Sequence, residues 1–118
     1  MPAKVVFLNT QGWFALLNSA DMLHGVASVE WERLSAAGYS VLITDWIVAE
    51  TGNGLARTAA RSAFAESARR FLSDPLSRLV DVTPELLARA LILYKQRGDK
   101  SWGLVDCASF IVMQDAGV

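Results

Sequence analysis

Short continuous apolar runs separated by longer stretches with helical periodicity set out the elements to expect from this chain. The run at residues 5–8, VVFL, is rich in β-branched and aromatic residues and predicts a strand buried on both faces, as in a parallel sheet. Gln11 and Gly12 break it, and GWFALLN predicts a short helix. Asp21 is placed to cap the next helix, DMLHGVASVEWERLSAAG, which Gly38 ends. Within it Leu23, Val26, Ala27, Trp31 and Leu34 recur at helical spacing and predict a core-facing stripe. YSVLIT, residues 39–44, predicts a second buried strand, after which Thr44 or Asp45 caps a helix through Ala49 and Glu50. TGNG is expected to interrupt that helix, and residues 55–74 to form one long amphipathic helix. SRLVDV, residues 77–82, predicts a third strand. Thr83 and Pro84 pair a cap with a first-turn proline for a helix through Gln96, closed by Gly98. The last helix is expected from Ser101 to Ala116.

Strands alternating with helices predict an α/β layer structure in a single domain, residues 1–118. The sequence ends on a helix at a point where such a domain ordinarily continues into another strand. A sheet lacking its last strand is therefore expected, with an open edge that favours a dimer or higher assembly.

Composition narrows the class. At 53% hydrophobic residues the chain can build a core. Eleven basic against twelve acidic residues exclude a strongly basic nucleic-acid binder, though not a local basic patch. A lone cysteine, Cys107, forms no internal disulfide, and together with the absence of a membrane-length apolar segment or a signal-peptide pattern it leads to the expectation of a cytoplasmic protein.

Candidate chemistry lies where oxygen-bearing side chains meet apolar surroundings. Asn9 stands at a strand end, Glu50 falls beside Trp46 and Ile47 at helical spacing, and Asp106 shares a face with Trp102, Ser109, Phe110 and Met113. Asp99, just before the last helix, is positioned near the same spot. Inward-facing oxygens are costly unless paired or bound to a cation, so the pattern points to a hard metal ion. Each residue also has a plainer reading: Asn9 as a turn residue, Glu50 as a solvated charge near a helix end, Asp99 as a helix cap. Asp106 is expected to lie too deep in its helix for a cap. Arg57 and Arg61, one helical step apart, form either a solvated face or a guide for a phosphate backbone. His24 reads as a surface or packing residue, and Cys107 and the tryptophans read as packing residues, with Trp102 near the rim of the site. There is no phosphate-binding glycine loop, dinucleotide fingerprint, Cys/His metal spacing or serine-hydrolase elbow.

Three segments, VFLNTQGWFALL, VLITDWIVAETGNGLAR and DKSWGLVDCASFIVMQDAGV, resemble the PIN domains of VapC-type toxins, and the resemblance covers essentially the whole chain. It implies a three-layer α/β/α fold around a parallel sheet. It also implies a Mg²⁺- or Mn²⁺-dependent endoribonuclease that acts on cellular RNA, pairs with a cognate antitoxin protein and forms homodimers. Glu50 matches the family's second carboxylate, Asp106 the third and Asp99 an auxiliary acid. Asn9 stands where the family has its first aspartate. A weakened but working nuclease, a substituted form silenced at Asn9, and a non-enzymatic relative that binds RNA or protein all agree with this pattern. A like-charge cluster at the site predicts that Asp106→Asn stabilises the metal-free protein.

Overall fold

The computed structural model describes residues 4–118, so the first three residues of the expected domain lie outside it. Three parallel strands, β1 (Val5–Phe7), β2 (Ser40–Thr44) and β3 (Arg78–Val80), form a sheet in the order β1-β2-β3. Val6 lies opposite Val41, and Ile43 opposite Leu79. Among the described residues six helices accompany the sheet: α1 (Thr10–Leu17), α2 (His24–Ala36), α3 (Asp45–Leu55), α4 (Arg61–Ser73), α5 (Pro84–Gln96) and α6 (Leu104–Ala116).

The period-2 alternation of β2 divides the core in two. Leu42, fully buried, packs with Leu86 and Ala90 of α5 and Cys107, Ala108, Ile111 and Val112 of α6. Val41 and Ile43 point the other way, to Leu8, Trp13 of α1 and Ile47 of α3. Helices on both faces of a parallel sheet are the expected three-layer α/β/α arrangement. Three further devices lock it. Thr44, buried at the end of β2, accepts from Ile47 N–H at 3.1 Å and so starts α3 directly from the strand. The Asp45 carboxylate accepts from Val82 N–H at 2.9 Å, tying that start to the chain leaving β3. On the other face Trp13 Nε1 donates to Ser67 Oγ while its ring packs on Phe64 and Phe71, which fixes α4 against α1.

The structure departs from the sequence expectations in five places. β1 is half-buried, because it pairs with β2 alone among the described residues. TGNG does not break a helix. Gly52 and Gly54 lie inside α3, where a Cβ on Gly54 would overlap the Phe14 ring and one on Gly52 would stand 2.9 Å from the Phe64 ring. The two glycines serve close packing. The expected long helix is instead split at residues 56–60, where Thr58 Oγ1 donates to the Leu55 carbonyl and accepts from Ala60 N–H. Asp21 caps a turn before α2, accepting from Leu23 N–H, and Leu23 and Val26 are exposed while Ala27, Trp31 and Leu34 are half-buried. The last helix begins at Leu104, not Ser101. Gly38 does end α2 as expected: its φ of 83° is left-handed, and Tyr39 N–H returns to the Leu34 carbonyl.

Candidate functional site

Ligand sites of parallel α/β sheets lie beyond the carboxyl ends of the strands. Here an open groove of about 840 Å³ lies there, and Asn9, Glu50 and Asp106 all line it. Three separate elements bring them together: the end of β1, the middle of α3 and the first turn of α6.

Each of the three is oriented by a hydrogen bond. Asn9 caps α1, its Oδ1 accepting from Gly12 N–H at 2.7 Å. Its turn role and its place at the groove are thus one geometry. Glu50 Oε1 accepts from Thr10 Oγ1 at 2.5 Å. Thr10 is 8% exposed and directly follows Asn9, so β1 and α1 aim both the amide and the glutamate. Asp106 Oδ2 accepts from Gly103 N–H at 2.9 Å.

Two expectations about these acids are corrected. Glu50 and Asp106 are exposed rather than inward-facing. The buried stripe of α3 runs Ile47, Thr51, Leu55, and Glu50 lies about 100° away from it around the helix. In α6 the buried positions begin at Cys107, one residue past Asp106. Asp106 is also a first-turn cap residue, because α6 starts three residues later than its sequence suggests. The face it shares with Trp102, Ser109, Phe110 and Met113 is the groove wall, since all four line the groove.

Asp99 stands apart. It is absent from the groove lining and lies outside α6, whose N-cap is Gly103. Its carboxylate takes two hydrogen bonds from the Arg97 guanidinium, at 3.0 and 3.2 Å, and these hold it below the ordinary aspartate range. Arg57 and Arg61 do not share a helix. Arg57 is in the turn after α3 and Arg61 opens α4, donating to the Ala56 carbonyl at 3.0 Å; neither lines the groove.

The groove wall also contains Gln11 and Phe14, which the sequence pattern did not place at the site, and the pair Trp102–Phe110, which it did, packed edge-on with ring centroids 4.8 Å apart. Arg97 and Lys100 stand over the Trp102 ring, at 5.2 and 5.9 Å from its centroid. The basic and aromatic residues crowded into RGDKSW were the signal for this cluster. The packing assignments hold elsewhere. His24 Nδ1 is bonded to the Ala15 carbonyl, and Cys107 is fully buried, its thiol pushed up by burial and then by the charge of Asp106. Asp115, on the far side of α6, pairs with Arg89.

The donor set tests whether a metal ion fits. Among the described residues no three Asp, Glu, His or Cys side chains gather closely enough to hold one unaided. The groove offers two carboxylates, the Asn9 amide and the Thr10 and Ser109 hydroxyls, and so oxygen donors without thiolate or imidazole. That set fits a hard cation which keeps several waters and takes one or two carboxylates from the protein, as Mg²⁺ does. It does not suit Zn²⁺.

No family model matches the chain. Among curated proteins it is similar to the 23S rRNA-specific endonuclease VapC20 of Mycobacterium tuberculosis, strains CDC 1551 / Oshkosh and ATCC 25618 / H37Rv. Identity is 28% over 114 residues, spanning 97% of this chain and 84% of the relative. Among solved structures it is similar to the crystal structure of M. tuberculosis VapC20, described as a Sarcin-Ricin loop cleaving toxin. The TM-score there is 0.80 at 29% identity, again over 97% of this chain and 84% of the other. The likeness extends over sequence and fold together.

Proposed function

We propose that this chain, a VapC-type PIN-domain protein by both sequence and fold, is a Mg²⁺- or Mn²⁺-dependent endoribonuclease, the toxin of a toxin–antitoxin pair. The observation that carries the reading is the convergence of Asn9, Glu50 and Asp106, from three elements, on one groove beyond the strand ends. Glu50 and Asp106 would hold the cation, and Asn9 would add an uncharged amide oxygen. When bound, the ion supplies an activated water and screens the charge that develops on the phosphodiester. The chain's own part is orientation. Thr10 fixes the Glu50 carboxylate, the Gly103 N–H fixes Asp106, and the Gly12 N–H fixes the Asn9 amide. Asp99 acts indirectly, by holding Arg97 against the groove wall. Arg57, in the turn three residues beyond the groove-lining Gly54, and Arg61 guide the RNA backbone toward the groove.

The RNA target follows from the relatives: a ribosomal RNA loop is the substrate class to test first. A cognate antitoxin protein, a cytoplasmic setting and a homodimer complete the proposal. The side of β1 that carries no pairing among the described residues supports assembly.

A second reading, a catalytically silent RNA- or protein-binding relative, is favoured by one feature. The site has two carboxylates and an amide where a third carboxylate would strengthen cation binding. Induced expression in a bacterial host separates the readings. The nuclease predicts growth arrest and new ribosomal RNA 5′ ends with this chain or with Asn9→Asp, abolished by Glu50→Gln and Asp106→Asn. No new RNA ends with either form, each present in soluble amounts, would favour the silent reading.

A further inference from the structure

We propose that Trp102, flanked by Arg97 and Lys100, is a stacking platform for one unpaired RNA base at the edge of the acidic groove. The inference deepens the ribonuclease reading and rests on it for the identity of the ligand.

Trp102 lies in the segment between α5 and α6, half-buried and lining the same groove as Asn9, Glu50 and Asp106. Phe110 of α6 packs edge-on against its ring at an interplanar angle of 67°, which fixes the plane of the indole. The next residue, Gly103, donates its N–H to the Asp106 carboxylate at 2.9 Å. The ring and one site carboxylate are therefore held by the same turn of chain, so a base on the ring is placed relative to the acids.

Charge decides how a nucleic acid enters. The charged residues lining the groove, Glu50 and Asp106, are both acidic and repel a phosphate. The wall beside them is aromatic, with Phe7, Phe14, Trp102 and Phe110, and its cations stand at Trp102. Arg97 and Lys100 already stand over the indole ring, so a base that stacks there displaces the two cations onto its own flanking phosphates and keeps those phosphates away from the carboxylates. Asp99 anchors Arg97 and leaves Lys100 with no salt bridge among the described residues. A base inside a duplex cannot do this, because its faces are already stacked. The platform therefore selects single-stranded or looped RNA, with little base preference, since every base has a stacking face.

The test is fluorescence anisotropy of a labelled single-stranded RNA decamer in EDTA at low salt, where no metal chemistry intervenes. Trp102→Leu is expected to weaken binding roughly 5- to 150-fold, the range of one lost base–aromatic stack, and Trp102→Phe to retain most of it. Arg97→Gln with Lys100→Gln is expected to lower the salt dependence by about 0.7 in log–log slope for each phosphate that is no longer neutralised. A blunt duplex is expected to bind without dependence on Trp102. Thermal melts check folding; if Trp102→Leu does not fold, the phenylalanine and double-glutamine variants decide. Absent binding by the parent, binding by Trp102→Leu within twofold of the parent, or equal loss in the leucine and phenylalanine variants would overturn the platform. Cleavage assayed separately with Mn²⁺ keeps the two readings apart. Cleavage indifferent to Trp102 would sink the platform alone. Trp102-dependent binding with no cleavage by any form would sink the nuclease alone.

Discussion

Asn9→Asp is the most informative single change at the groove. It should leave the local fold intact, because aspartate caps a helix as well as asparagine and can accept the same bond from Gly12 N–H. A carboxylate at the start of α1 gains about 0.3–1 kcal/mol from the helix dipole. Against this, repulsion from Glu50 or Asp106 costs about 1 kcal/mol at 4 Å in water and less at longer range. All three side chains are exposed, so the dielectric of water is the appropriate choice. The metal-free stability should therefore change by less than about 1 kcal/mol in either direction. The effect on a divalent cation is larger. One added charge about 4 Å from a doubly charged ion is worth about 2 kcal/mol at that dielectric, which is roughly 30-fold in affinity. Calorimetric titration with Mn²⁺ should show that tightening. Melting in excess Mn²⁺ should raise the midpoint of Asn9→Asp more than that of the parent. Mn²⁺ affinities of the two proteins within twofold of each other would refute the claim that position 9 shares a cation site with Glu50 and Asp106.

Other consequences are open to direct measurement. Asp106→Asn, expected from the sequence to stabilise the metal-free protein, should instead lower its stability by about 0.3–1 kcal/mol. Its carboxylate is exposed and sits in the first turn of α6, where negative charge is favoured; urea melts in EDTA measure this. Gly54→Ala should destabilise by about 1–2 kcal/mol, because the clash with Phe14 outweighs the gain in helix propensity, and Phe14→Leu in the same chain should recover much of the loss. The Arg89 guanidinium holds the Asp115 carboxyl below its ordinary value of 3.8. The native state therefore binds fewer protons than the unfolded chain, and the stabilisation is present above that value and lost as pH falls through the lower native one. The stability difference between the parent and Arg89→Gln should accordingly be larger at about pH 5 than at about pH 3.

Elements specified by local chemistry were readable from the sequence. The second strand was expected at residues 39–44 and found at Ser40–Thr44, and the helix announced by Thr83 and Pro84 runs to Gln96 as its pattern required. Both depend on signals within a few residues of themselves. What failed depended on distant partners. The glycines of TGNG look like a break until Phe14 and Phe64 are placed against them. The Leu23 and Val26 positions carry helical spacing that the tertiary packing leaves exposed. At the site, Asn9, Glu50 and Asp106 were each identifiable, yet the directions of the two acids were misjudged. Each helix turns a different face to the core from the one its acid shares with apolar neighbours: α3 buries Ile47, Thr51 and Leu55, and α6 buries Cys107, Ala108, Ile111 and Val112. Asp99 was grouped with them on its place before the last helix and on the resemblance, and the structure pairs it with Arg97, two residues away.

The most direct test of the central claim is cleavage by the purified protein of an RNA that carries the sarcin–ricin loop, with Mn²⁺ or Mg²⁺ and with EDTA. The parent, Asn9→Asp, and each combined with Glu50→Gln or Asp106→Asn would be run side by side. The account predicts metal-dependent cuts within the loop, faster with Asn9→Asp and lost with either acid replaced. Cuts that persist in the Glu50→Gln and Asp106→Asn proteins, or no cuts by Asn9→Asp in the presence of metal, would contradict it.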